Sequence, residues 1–119
     1  MKRVLIVDDS LAVARQMENI LVAAGDFSVS GHAKNGSQGL KMFMAGGHDI
    51  VCMDMNMPEM DGLTALRSMM ALNPNAKVVM ITSLGGVGDR FNEAIKLGAK
   101  AVISKPFETE QVLATLRSL

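Results

Sequence analysis

Short apolar runs, each closed by polar residues and each followed by a helical stripe, recur along the whole chain. Val4-Leu5-Ile6-Val7 is closed by Asp8-Asp9-Ser10, and Ile50-Val51-Cys52-Met53 by Asp54. Val78-Val79-Met80-Ile81 is closed by Thr82-Ser83, and Ala101-Val102-Ile103 by Ser104-Lys105-Pro106. Runs this short, apolar at consecutive positions, suit strands covered on both faces, as in a parallel sheet. One further strand reads differently. Phe27, Val29, Gly31 and Ala33 alternate with smaller polar residues, which predicts a strand of period two.

Between these runs the period changes to that of a helix. Val13, Met17, Ile20, Leu21 and Ala24 share one face, Asp8-Asp9-Ser10 offers a cap, and Gly25 ends the stripe. Leu40, Phe43 and Met44 mark a short second helix, after a turn at Asn35-Gly36 and before Gly46-Gly47. Leu63, Leu66, Met69 and Met70 stripe a third, between a loop at Pro58 and Asp61-Gly62 and a stop at Asn73-Pro74. Phe91, Ala94, Ile95 and Leu97 stripe a fourth, and Val112, Leu113 and Leu116 a fifth.

Five strand–helix units predict an α/β domain with helices on both faces of a parallel sheet. Right-handed crossovers leave few arrangements, and the doubly wound, flavodoxin-like strand order 2-1-3-4-5 fits best. At 119 residues the chain is expected to form one domain, 1–119. Twelve Lys and Arg balance twelve Asp and Glu, so the basic footprint of a nucleic-acid binder is missing. One cysteine excludes a disulfide framework or a thiolate zinc site. Cys52 lies inside an apolar strand, where packing is the expected role. No run is long enough for a membrane span or a signal peptide, so no membrane contact and a cytoplasmic location are expected.

An open parallel sheet binds its ligand beyond the carboxyl ends of its strands. This sequence places Asp8 and Asp9 at the end of the first strand, Asp54 at the third, Thr82 at the fourth, and Ser104 and Lys105 at the fifth. The first and third strands are neighbours in the expected order, so the three carboxylates gather. Two carboxylates ~4 Å apart repel by about 4 kcal/mol at an effective dielectric near 20, so one protonates or a cation sits between them. Hard oxygen ligands with open positions suit Mg²⁺. A metal, an ammonium group and a hydroxyl around one carboxylate can position and stabilise a transferring phosphoryl group, with Asp54 as candidate nucleophile.

Taken singly, each residue has a plainer reading. Asp8-Asp9 can be a helix cap, Asp54 a turn residue, Thr82 a strand end and Lys105-Pro106 a surface turn. Their conjunction at the strand ends is what carries weight. Eleven methionines read as core bulk. A copper site at Met53, Met55, Met57 and Met60 is disfavoured, because the intervening Asp residues suit hard cations better. His32 and His48 lack partners at ligand or triad spacing and read as incidental.

These residues resemble the receiver domain of two-component response regulators. The similarity covers the whole chain, through Val4 to Ser10, Asp54-Met55-Asn56-Met57-Pro58-Glu59-Met60-Asp61-Gly62, Thr82-Ser83 and Lys105-Pro106-Phe107. It implies that Asp54 accepts phosphoryl from a histidine kinase. It implies that Asp9, Asp54 and the Asn56 backbone carbonyl ligate Mg²⁺, with Asp8 reaching it through water. Lys105 would pair with the phosphoryl oxygens, Thr82 would swing toward them, and the Ser83 N–H would bind another. A cis Lys105–Pro106 peptide belongs to the same pattern, and Asn56 and Leu84 stand where the family tunes hydrolysis. One departure concerns Val102, which stands where many receivers carry a rotating Phe or Tyr. Activation would then rest on loop 83–88, rich in Gly85, Gly86 and Gly88, and on the fourth helix.

The expectation is a phosphorylation switch; the sequence ends with the fifth helix, which suggests a stand-alone receiver of the chemotaxis kind, and a monomer is expected. It would catalyse only its own phosphoryl transfer and dephosphorylation. Its partners would be a sensor histidine kinase and a downstream signalling protein such as a flagellar motor switch. A phosphate shuttle or sink, or the receiver portion of a longer regulator such as a chemotaxis methylesterase, are the alternatives. Two other classes fit less well. A haloacid-dehalogenase-type phosphatase needs a second acid where Asp54-Met55-Asn56 has Asn. A flavodoxin-like flavin carrier needs a stacking aromatic and a phosphate loop where Asp8 and Asp9 stand.

Overall fold

The computed structural model describes residues 1–55, 57, 60–83 and 89–119, with the backbone alone at 89 and 90. Five strands and five helices alternate: β1 (Lys2–Val7), α1 (Leu11–Ala24), β2 (Phe27–Ala33), α2 (Gly36–Ala45), β3 (Ile50–Asp54), α3 (Gly62–Leu72), β4 (Val78–Thr82), α4 (Asp89–Leu97), β5 (Ala101–Ser104) and α5 (Thr109–Arg117). All pairings are parallel, and the strand order is β2-β1-β3-β4-β5, as the sequence predicts.

The consecutive apolar residues of the central strands are explained by two cores. Leu5, Val7, Met53 and Met80 face a cluster shared with Leu63, Leu66 and Met69 of α3 and Ala94 of α4. Val4, Ile6, Cys52 and Ile81 face the other side, against Ala14, Met17 and Leu21 of α1 and Val112 and Leu116 of α5. Burying one such side chain contributes about 1.5–3 kcal/mol, so reversing either face of a central strand is costly. Met53, Met55 and Met57 all lie in the first cluster, where their thioethers serve as core bulk rather than as ligands.

Side-chain caps fix the starts of α1, α2 and α3. Ser10 Oγ accepts from the Val13 N–H at 3.3 Å and opens α1, while Gly25, at φ 86°, closes it. Two expectations are corrected here. Asn35-Gly36 is not a turn: Asn35 Oδ1 accepts from the Gln38 N–H at 2.8 Å, and Gly36 is the first residue of α2. Asp61-Gly62 likewise caps α3, with Asp61 Oδ1 accepting from the Thr64 N–H at 2.9 Å. On α2, Met44 is not part of the buried stripe but stands 63% exposed. On α4, Ile95 also faces outward.

The period-two reading of β2 is corrected as well. Val4 pairs with Val29 but Leu5 pairs with Gly31, so Ser30 is an extra residue in the edge strand. Such a bulge reverses the faces of everything beyond it. Phe27 and Val29 accordingly pack toward α1 and α5, and Ala33 toward the opposite core. Among the described residues, no helix is long and apolar enough to cross a membrane.

Candidate functional site

At the carboxyl end of the sheet, Asp8, Asp9 and Asp54 offer carboxylate oxygens that all lie within 4.8 Å of one another. Three strands' worth of hydrogen bonds hold the residues there. The Asp8 N–H extends the β1–β2 ladder by donating to the Ala33 carbonyl at 3.0 Å. Its carboxylate turns back, Oδ1 accepting from the Ser10 N–H at 2.9 Å. Asp8 and Asp54 are buried, whereas Asp9 is exposed. Asp54 ends β3 opposite Ile81. Just beyond it, the Met55 N–H donates to the Ile81 carbonyl at 2.9 Å, and its own carbonyl accepts from the Gly62 N–H at 3.0 Å. The residue after Asp54 is thus stitched to both β4 and α3, which fixes the direction in which the carboxylate leaves the sheet.

Lys105 completes the cluster. Its N–H donates to the Thr82 carbonyl at 2.7 Å, so the fifth strand's end is tied to the fourth's. The side chain crosses the sheet edge and its Nζ stands 3.3 Å from Asp8 Oδ2 and 3.6 Å from Asp54 Oδ1. The Lys105–Pro106 peptide is cis, as the resemblance implies. Thr82 is buried opposite Ser104, and Ser83 follows it, exposed, at the mouth of the site. The sequence-picked residues Asp8, Asp9, Asp54, Thr82, Ser83 and Lys105 therefore share one edge. Asn56, Leu84 and the glycines of loop 83–88 (Gly85, Gly86 and Gly88) lie outside the described residues. Val102 pairs with Met80 and packs, half-buried, on the α3–α4 side.

The donor set fits a hard cation: carboxylate oxygens only, one of them on an exposed side chain open to water. Cys52 fits no such role. It is fully enclosed in the second core, and burial pushes its thiol up to about 12. Two surface hollows of about 420 and 430 Å³ lie at the amino end of the sheet, around Met1 and Lys2, away from this cluster.

Both histidines, expected to lack partners at ligand or triad spacing, make structural hydrogen bonds. His32 Nε2 lies 3.1 Å from the Asp8 carbonyl oxygen, which can only accept, so the ring donates. His48 Nε2 donates to the Met42 carbonyl at 3.0 Å, one of the orphan acceptors at the end of α2, and Ser30 Oγ donates to its Nδ1 at 2.6 Å. Sequence spacing could not show the His32 contact, because it depends on the bulge in β2.

The response regulator receiver domain model matches residues 4–117. The chain belongs to the response regulator receiver domain family. Among its relatives, the chemotaxis protein CheY of Listeria monocytogenes is 44% identical over 116 residues, covering 98% of this chain and 96% of that protein. A protein-glutamate methylesterase/protein-glutamine glutaminase of Archaeoglobus fulgidus is 44% identical over 105 residues, 87% of this chain but 30% of the relative. Among solved structures, a chain of the CheX–CheY–BeF3–Mg²⁺ complex of Borrelia burgdorferi superposes with a TM-score of 0.93 at 34% identity, covering 98% of this chain and 87% of that one. This receiver domain is thus of the CheY type, with homology extending to the receiver portions of chemotaxis methylesterases.

Proposed function

We propose that this receiver is a phosphorylation switch in which Asp54 accepts a phosphoryl group from the phosphohistidine of a sensor kinase. The observation that carries the reading is the position of Lys105 Nζ, between Asp8 at 3.3 Å and Asp54 at 3.6 Å. A carboxylate poised for attack must stay ionised beside two others. Each pair, within 4.8 Å, repels by about 3 kcal/mol or more at an effective dielectric near 20. The ammonium group offsets that repulsion without taking up the reacting lone pair. An Asp54 oxygen forms the new bond to phosphorus as the P–N bond breaks and the departing imidazole keeps the electron pair. Lys105 then exchanges a carboxylate for a phosphoryl oxygen, and the Thr82 hydroxyl and Ser83 N–H are the donors on the facing strand end.

Asp8, Asp9 and Asp54, with the Asn56 carbonyl, are the residues that would hold Mg²⁺. When bound, the ion neutralises charge on the transferring group and binds its oxygens. The domain's chemistry is limited to its own phosphorylation and hydrolysis. We place it in the cytoplasm as a monomer that passes the signal to a downstream protein. The similarity to CheY proteins favours a chemotaxis or related pathway, with a motor-switch component as a fitting target. The match to the methylesterase supports a second reading, in which the same switch governs an attached enzyme. A phosphate sink would use the same site.

A titration with beryllofluoride and Mg²⁺, followed by amide NMR, tests the reading. Saturable shifts at Asp54, Thr82, Ser83 and Lys105 that require both components are expected. No shifts with both components present, or shifts scattered away from this edge, overturn it.

A further inference from the structure

We propose that His32 is a positioning residue for the metal site, acting through the backbone of Asp8; the inference rests on the reading that the Asp8–Asp9–Asp54 cluster takes up Mg²⁺. Every other polar group of Asp8 has its own anchor: the N–H donates to the Ala33 carbonyl, Oδ1 accepts from the Ser10 N–H, and Oδ2 pairs with Lys105. The remaining group, the carbonyl, accepts from His32 Nε2 at 3.1 Å.

That carbonyl belongs to the planar peptide joining Asp8 to Asp9. Fixing it fixes the plane from which the Asp9 residue departs. The exposed Asp9 side chain makes no hydrogen bond among the described residues, so its direction is inherited from its backbone. His32 therefore holds in place the one carboxylate of the cluster that has no anchor of its own.

The bulge at Ser30 is what makes this contact possible. It shifts the register so that His32 pairs with Ile6, whose side chain faces the α1 core. In an unbulged strand His32 would pair with Val7 and point to the opposite face. The imidazole instead stands on the α1 side, where the chain turns from β1 through Asp8 and Asp9 into α1. Groups that orient metal ligands from behind change metal affinity by about 10–100-fold when removed.

Reach provides the test. His32→Gln sets an amide N–H where Nε2 stands, whereas His32→Asn sets it where Nδ1 stands, too short for the Asp8 carbonyl. Mg²⁺ affinity is measured by amide NMR for wild type and both variants, beside thermal unfolding in EDTA. The expected result is wild-type affinity in the Gln variant and a loss of about tenfold in the Asn variant, with the two variants unfolding together in EDTA. Equal affinity in wild type and the Asn variant, or equal loss in both variants, overturns the role of His32 while leaving the Mg²⁺ site intact. A wild type that takes up no Mg²⁺ overturns the underlying reading itself, and this one with it.

Discussion

Lys105 Nζ stands between two buried carboxylates, 3.3 Å from Asp8 Oδ2 and 3.6 Å from Asp54 Oδ1, although the three residues come from three different strand ends. The side chains of Asp8 and Asp54 are 4% and 6% exposed, against 21% for Lys105, so water does little to separate the carboxylates. Lys105→Met keeps the length of the stem and removes the charge. Leaving buried charges without a counter-ion costs about 3 kcal/mol. The variant should therefore unfold at lower urea in EDTA, and saturating Mg²⁺ should restore much of the loss. Equal midpoints for wild type and variant in EDTA contradict this.

Asp9 makes the opposite prediction. It adds a third negative charge to the cluster without a hydrogen bond of its own among the described residues. Asp9→Asn relieves repulsion, so the melting temperature in EDTA should rise by a few degrees, corresponding to roughly 1 kcal/mol. The same variant should lose the upward shift that Mg²⁺ gives the wild type. Calorimetry with and without Mg²⁺ reads both effects.

Much of this site is legible in the sequence, for a physical reason. A strand buried on both faces must be apolar throughout, so its end is announced by the first polar residue, and Asp8, Asp54, Thr82 and Ser104 stand at those ends. The parallel fold does the rest. The edge strand was less legible. Ser30 adds one residue to β2 and reverses the face of Gly31, His32 and Ala33, and nothing in a run of alternating residues marks where such a bulge falls. Asn35-Gly36 and Asp61-Gly62 carry the residue types of a turn, yet Asn and Asp also cap helices. Only packing decides between them: a Cβ on Gly36 would meet the Met60 side chain at 3.0 Å, so that glycine sits where a helix comes close to its neighbour.

Gly62 shows the same crowding beneath Asp54. A Cβ there would press on the Asp54 carbonyl oxygen and lie 2.8 Å from the Met55 Cα, both backbone atoms that cannot step aside. Gly62→Ala should therefore destabilise the domain by about 1–3 kcal/mol or more. It should also shift the amide signals of Asp54 and Met55 in the surviving folded protein. A neutral midpoint with unmoved signals contradicts the packing described.

Cys52 should be silent in the folded state. Its thiol is enclosed by the α1–α5 core and pushed up to about 12, so almost no thiolate exists at pH 8 and no reagent reaches it. A colorimetric thiol count at pH 8 should find no reactive thiol in the native protein and a full equivalent in denaturant. Fast reaction of the native protein contradicts it.

Far from the site, Asp26 accepts from Arg117 Nε at 2.8 Å and from its Nη2 at 2.9 Å, joining the residue before β2 to the end of α5. The guanidinium hydrogen bonds hold the Asp26 carboxyl below its ordinary 3.8. A depressed folded value means that the contribution is fully present above about pH 4 and fades as pH falls through the lower folded value. Wild type should thus exceed Asp26→Asn in urea midpoint at pH 6, and the difference should close in strong acid. A difference that persists or grows there contradicts the sign.

The proposed role of Asp54 is to take a phosphoryl group with the help of the acidic cluster. Intact mass after incubation with acetyl phosphate, with and without Mg²⁺ and beside Asp54→Ala, tests it most directly. The expected result is the gain of one phosphoryl group that requires Mg²⁺ and is absent from the variant. The same gain in the variant, or in wild type without Mg²⁺, would contradict it.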